Sequence, residues 1–517
     1  MKKLIIMFLI GFIAIGTLMA AGQQAAQSSE RRLTVAYPDS AVENVTFNDP
    51  LPVWVEVEKR LNLKINWEVL PGAQYGPAAQ TRLAAGMNLP DVMQIPGSIA
   101  DAIRYANQGL ILKLNPLIDR YGPDIQQLFR EQPELQAGIV APDGSIYYVC
   151  NYLLDSPNGR GMIIRKDWID RLNKPIPETT DQWLEILRLF KTTDLNGQGA
   201  GSIIPYTGNP RFFYSGFGLP VQQNDDFYHY YDEKTGRIQY YALQNEFRDY
   251  LTFANRLHSE GLLNPMFGTT QADQMTNDML RRNSVGADAN NPGDCDNYIT
   301  FAQASGAADA LYVWFFPPKA NDGKVRWAPL HTARNGVRVG ITKDANQPLA
   351  MEFLNYVWGN KDGVRLTTAG VEGVHWNFVN GRQTLVNDII NHPQFNVILR
   401  LRQIGGFHFI DLQTQEFNLA RGVGQYKAGI ELILASPDKR IAALPGFIPL
   451  DNEQSVINQY WADIQTYIDE TVVKFIMGSE PLSNFDAFRQ RLDTMGINRV
   501  AAEYQKMYDR YSASLRK

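Results

Sequence analysis

Apolar and polar residues alternate with two periods along this chain, and the switches between them mark its elements. Residues 32–38 (RLTVAYP) carry apolar side chains at alternating positions, and in 64–70 Ile65, Trp67 and Val69 do the same, so both read as strands. Between them Trp54, Val57 and Leu61 recur at helical spacing behind the start signals Asn48, Asp49 and Pro50. Residues 78–86 read as a short helix, and 91–96 as a strand stopped by Pro96 and Gly97. A strand–helix–strand–helix–strand order within about sixty residues predicts an open, largely parallel sheet. Such sheets bind ligands at the carboxyl ends of their strands, here 71–75 and 94–98.

The middle of the chain continues the alternation with different spacing. A strand and a helix open it near residue 164. After a Pro-rich link, Thr180 is placed to cap a helix that carries Trp183, Ile186, Leu187 and Phe190 on one face. A stretch rich in Gly, Asn and aromatic residues runs over 208–231. The helix expected over 245–260 turns Phe247, Tyr250, Leu251, Ala254 and Leu257 inward. Strands follow at 284–288, 311–318 and 337–345, then a helix at 350–359, and the C-terminal third reads as mainly helical. No internal repeat is visible.

The first twenty-two residues change the picture from fold to location. Lys2 and Lys3 precede an apolar run from Leu4 to Met19, and Ala20 and Gly22 suit the cleavage pockets of a signal peptidase. The expectation is a signal peptide over 1–22, a polar linker over 23–31, and a mature protein that is periplasmic or secreted. An uncleaved anchor is the other reading of the same run. No cysteine follows the small residues, so no lipid anchor is expected; the two cysteines are Cys150 and Cys295. In an oxidising compartment these can pair, or stand as two buried thiols. Net charge is −5, and −7 without Lys2 and Lys3, with no basic block, which argues against nucleic acid as a partner. The 24 Tyr and 9 Trp suit a ligand with flat apolar faces, or simply a large core.

The sequence contains no H-E-x-x-H, C-x-x-C, G-x-S-x-G or P-loop pattern, and its six histidines are scattered. No cofactor and no catalytic residue is assigned. Asp194, Asn196, Gln198 and Gly199 in DLNGQG are spaced like the opening of a calcium loop. Its later positions fail: Ser202 stands ninth and Pro205 twelfth, where a bidentate Glu would close the coordination sphere. A calcium-free turn is the favoured reading, with Asp194, Asn196 and Gln198 as weak candidate ligands.

The order of several segments resembles the family 1 extracellular solute-binding proteins of ABC importers, in their large oligosaccharide-binding, lipoprotein-type branch. The segments are LAAGMNLPDVMQIPG (83–97), GLILKLNPLIDRYGPDI (109–125), APDGSIYYVCNY (141–152), IRKDWIDRLNKPIPETTDQW (164–183), GVEGVHW (370–376) and the helical 466–511. The resemblance implies a two-lobed α/β fold of the type II periplasmic-binding-protein kind, each lobe a mainly parallel sheet flanked by helices, with a helical C-terminal region. The expected layout is lobe one over 32–155, lobe two over 156–335, a return to lobe one over 336–390, and a return to lobe two with the C-terminal helices over 391–517. It also implies a monomer that captures a carbohydrate in an interlobe cleft and delivers it to ABC permease subunits. An exported carbohydrate-active enzyme, a hydrolase or lyase, is the competing class.

Candidate ligand contacts follow from that layout. Tyr75 would end the second strand, and Gln94, Gly97 and Ser98 the third. Tyr214 and Phe217 lie in the aromatic stretch of lobe two, where they also read as core, and Asn290 and Asn291 follow its 284–288 strand. Glu372, His375 and Trp376 lie beyond the return, with Trp376 as a stacking platform beside the Glu–His pair or, for Glu372, a residue that only fixes the backbone of its two glycines.

Overall fold

The computed structural model describes residues 31–515 except 40–41, 155–157, 224–227, 270, 330–332 and 393. The expected signal peptide, and all of the linker but Arg31, lie outside these residues. The chain opens with β1 (Arg32–Pro38), β2 (Lys64–Leu70) and β3 (Val92–Gln94), with the helices Pro52–Leu61 and Gly72–Ala85 between them. The first helix starts on a proline and ends at Asn62 in the left-handed region; the second ends at Gly86 with φ +63°. Four short helices lead to β4 (Val149–Leu154). The chain then passes into a second body with β5 (Gly161–Arg165), β6 (Ile204–Tyr206), the hairpin β7 (His229–Asp232) and β8 (Arg237–Tyr240), β9 (Val285–Asn290) and β10 (Tyr312–Phe315). It returns through β11 (Ala333–Ile341), the hairpin β12 (Trp376–Val379) and β13 (Arg382–Leu385), and β14 (Leu412–Thr414). It ends in helices that include Gly424–Ala435, Asp451–Met477 and Ile497–Ser514.

Two sheets organise these elements. One has the order β14-β4-β11-β3-β1-β2, the other β10-β5-β9-β6. β1 pairs in parallel with β2 and β3, and β14 in parallel with β4. The exception in the first sheet is β11, antiparallel to both β3 and β4. The exception in the second is β5, antiparallel to β9 and β10. Each exception is the strand that enters from the other body, so it runs against the strands already there.

Each sheet has its own hydrophobic core. The first draws on Leu33 to Tyr152 and on Val339 to Phe417; the second on Met162 to Trp327 and on Tyr426 to Met507. The return to the first lobe is therefore longer than the expected 336–390. Val397, Leu401, Ile404, Phe409, Leu412 and Phe417 pack in the first core, because β14 adds to the edge of β4 within a region that reads as helical. Cys150 is buried in the first core and Cys295 in the second, both as free thiols. Thr179, one residue earlier than expected, caps the helix Thr180–Thr192, in a reciprocal pair with Gln182.

The third crossing, near residues 418–424, is stitched by charge. Arg421 donates from Nε to Asn418 Oδ1 at 2.7 Å, and its guanidinium lies 5.8 Å from the Phe417 ring and 4.4 Å from the Tyr426 ring. Asp296 accepts the backbone N–H groups of Gln425 and Tyr426 at 2.8 and 3.0 Å, capping the helix that follows.

Several expected contact residues are core residues instead. Trp376 is 2 % exposed; its indole N–H donates to the Gly370 carbonyl at 2.8 Å and its ring meets Phe378 edge-on. His375 is buried and its Nδ1 accepts the Val371 N–H at 3.0 Å. The segment 370–376 is thus a turn that buries His375 and Trp376 and leaves Glu372, Gly373 and Val374 exposed. Tyr75 sits within the helix Gly72–Ala85, not at a strand end. It is buried, with its hydroxyl 2.8 Å from the Gln94 carbonyl and 3.0 Å from that of Ala36. Tyr214 is buried against Tyr241 and Tyr250, with ring centroids 4.8 and 4.6 Å away, and Phe217 is half-buried against Tyr250 and Phe253.

Two outcomes are expected. Trp376→Ala should lower folding stability by about 3–5 kcal/mol, read as the urea midpoint, as large buried aromatics do; an unchanged midpoint would contradict the packing described. The second concerns His408, half-buried with its ring 4.9 Å from Phe47; burial, then Arg402, pull its pKa down to about 4. The unfolded imidazole titrates near the ordinary value of about 6.5. The unfolded chain then binds the extra proton, so stability present above about pH 6.5 is lost as pH falls towards 4. Discounting for partial exposure, the loss is on the order of 2 kcal/mol, and His408→Gln should show a correspondingly flatter stability profile over that window.

Candidate functional site

The topology aims one set of strand ends at the junction of the lobes. β4 is followed in the chain by β5 of the other lobe, so the carboxyl end of β4 faces that lobe. β1 and β3 run the same way as β4, and β6, β9 and β10 run against β5. All their carboxyl ends therefore face the junction, the place where open α/β sheets take ligands.

On the first lobe this end is the turn after β3. Gly97 and Ser98 are exposed. Gly97 has φ +85°, and an added Cβ would come within 2.4 Å of the Asp101 carboxylate, so the tight turn requires glycine. Ser98 Oγ accepts the Asp101 N–H at 3.2 Å, and Asp101 Oδ2 accepts the Ser98 N–H at 2.8 Å. That backbone bond is the leading reason the Asp101 carboxyl lies below the usual range. The Gly97 carbonyl accepts a guanidinium N–H of Arg338, a buried residue on β11. Gln94 is half-buried, and its carbonyl accepts the Tyr75 hydroxyl at 2.8 Å.

On the second lobe the end of β9 presents Asn290 and Asn291, both half-buried. Asn290 Oδ1 accepts the Asn291 N–H at 3.0 Å, and Asp294 Oδ2 approaches the same N–H at 3.2 Å. The Asn290 carbonyl accepts the Trp314 indole N–H at 3.1 Å. Asp288, below them, is 5 % exposed and accepts the Tyr298 hydroxyl; burial pushes its pKa up, as it does that of Asp294 against the hydrogen bond from the Asn291 N–H. Arg160 is exposed while its backbone is clamped. Gln223 bonds both its N–H and its carbonyl at 2.7 Å, and the Trp327 indole donates to the same carbonyl at 2.7 Å. Amides, a guanidinium and a carboxylate with fixed backbones can hydrogen-bond a polyhydroxylated ligand.

The structure thus brings Asn290 and Asn291 together on one strand end, and Gly97 with Ser98 on another. Arg160, Gln223, Asp294 and Arg338 come from separate segments with no shared motif, so periodicity could not find them. Beyond β10, past the ring cluster of Trp314, Phe316 and Trp327, a cavity of about 1440 Å³ opens on the second lobe. Its first-lobe wall is Glu134, and none of the residues expected from sequence lines it.

The DLNGQG loop is closed by its own side chains. Asn196 Oδ1 accepts the Gln198 N–H at 3.1 Å and the Ser202 hydroxyl at 2.9 Å, and Asn196 Nδ2 donates to the Asn283 carbonyl. Gln198 Nε2 donates to the Arg282 carbonyl at 2.7 Å. Asp194 is exposed, and no group of three His, Cys, Asp or Glu among the described residues could hold a metal ion. These donors do not fit calcium. Titration of chelator-treated protein should therefore reveal no calcium site of micromolar affinity; one that Asp194→Ala abolishes would contradict this account.

Comparison with known proteins places the chain. It is 27 % identical over 267 residues to the fructooligosaccharide ABC transporter substrate-binding protein FusA of Streptococcus pneumoniae serotype 4, covering 44 % of this chain and 48 % of that one. It is 22 % identical over 527 residues to the polygalacturonan/rhamnogalacturonan-binding protein YtcQ of Bacillus subtilis, covering 97 % and 98 %. The fold matches that of an extracellular solute-binding protein from Bifidobacterium longum subsp. infantis, with a TM-score of 0.75 at 19 % identity over 94 % of this chain and 99 % of that one. This is the two-lobed type II fold. Residues 45–363 match the bacterial extracellular solute-binding protein family, and the chain belongs to that family.

Proposed function

We propose that this protein captures an oligosaccharide between its lobes, outside the cytoplasm, and delivers it to the permease subunits of an ABC importer. The observation that carries the reading is the pair of polar strand ends, one on each lobe, directed at one junction in a solute-binding family chain. Two relatives are named for carbohydrates, one for fructooligosaccharide and one for polygalacturonan and rhamnogalacturonan, which supports a carbohydrate over an amino acid or metal. Gly97 and Ser98 on one side, and Asn290 and Asn291 on the other, would meet hydroxyl groups on closure about the three crossings. The protein acts as a monomer, released from its signal peptide after residue 22 and without a lipid anchor. No helix among the described residues is long and apolar enough to cross a membrane.

A binding protein must release its ligand unchanged. One oligosaccharide should raise the melting temperature and be recovered intact; at a hundred times its dissociation constant it adds about 2.7 kcal/mol. Asn291→Ala should weaken that binding about tenfold, the loss of a hydrogen bond worth roughly 1.4 kcal/mol. Time-dependent cleavage of the sugar would instead favour the exported hydrolase or lyase.

A further inference from the structure

The cavity beyond β10 has a composition that selects a ligand class. Its volume, about 1440 Å³, exceeds the roughly 300–1000 Å³ of sites for drug-sized molecules, so it has room for several linked rings. Aromatic faces line it at intervals. Phe315 and Phe316 come from the end of β10, and Tyr508 and Tyr511 stand three residues apart on the helix Ile497–Ser514. Tyr508 stacks on Tyr231 with ring centroids 4.0 Å apart.

Between these faces lie five cationic and six anionic side chains. Three of the cations are engaged. Lys319 pairs with Glu178, Arg326 pairs with Asp322, and Lys439 Nζ sits 5.1 Å over the Phe316 ring. A lipid chain would leave these groups desolvated without partners. A polyuronate brings a negative charge on every unit to a wall where acids already outnumber bases. An uncharged polyol fits both features: its C–H faces cover the rings, and its hydroxyls bridge ion-paired groups without breaking the pairs.

We propose that this cavity is a saccharide compartment that takes neutral oligosaccharides and excludes uronic-acid chains. The proposal rests on the carbohydrate reading above and narrows its ligand class. It also adds a compartment behind the Trp314–Phe316–Trp327 ring cluster, distinct from the strand ends at Gly97 and Asn291.

The test uses the full mature protein with maltohexaose, mannohexaose, xylohexaose, an inulin-type hexamer and hexagalacturonate, followed by calorimetry and thermal shift. Ala442 is exposed on the cavity wall, so Ala442→Trp fills the space without touching the core; Ser512→Trp fills it from the helix on the other side. At least one neutral hexamer should bind, with affinity unchanged between low and high salt. Either filling variant should weaken it by about tenfold or more, as loss of a central contact does, while the unliganded melting temperature holds. Binding of the neutral hexamer that Asn291→Ala weakens and both filling variants leave intact would overturn the compartment and spare the proposed function. Binding of hexagalacturonate that the filling variants block would overturn the neutral class. Failure of all five saccharides to bind would overturn the carbohydrate reading and the compartment with it.

Discussion

The architecture depends on an exchange of strands between two cores. β11, arriving from the second lobe, is inserted between β4 and β3; β5, arriving from the first, is inserted between β10 and β9. Neither sheet is complete until the chain has visited the other lobe. The inserted strand of each lobe is also the one that fixes which strand ends face the junction. The apolar residues divide into two clusters, one for each sheet, and no single core spans both lobes. That division makes a junction that can open and close without exposing either core.

The junction groups are held before any ligand arrives. The Arg160 carbonyl receives two donors, from Gln223 and Trp327, and the Gly97 carbonyl receives Arg338 from the inserted strand. Fixing these backbones in the free protein reduces the ordering cost of binding, which is how a receptor gains affinity without chemistry. Arg338 joins an entering strand to a strand-end turn, so the element that links the lobes also positions part of the rim.

Much of the fold is legible in the sequence because its period is local. The alternation of Ile65, Trp67 and Val69 and the spacing of Trp54 and Val57 report their elements directly, and the order of segments reports the two lobes. The site is less legible, for a physical reason. Whether an aromatic ring lies in a core or at a surface depends on partners far along the chain. Tyr214 is covered by Tyr241 and Tyr250, and Trp376 packs against Phe378 in the first core, beyond the reach of its own heptapeptide. The Glu372–His375–Trp376 cluster has the residue types of a site, yet its His and Trp spend their polar atoms on their own turn. β14, three residues long, has no periodic signal, so the length of the return escapes a reading by pattern.

The central claim is that ligand capture moves two intact lobes about their crossings. Small-angle X-ray scattering of the mature protein, alone and saturated with a bound oligosaccharide, tests it most directly. The account predicts a smaller radius of gyration in the complex, with the far-ultraviolet circular dichroism unchanged. An identical scattering curve with and without a ligand that calorimetry shows to be bound would contradict closure as the basis of capture.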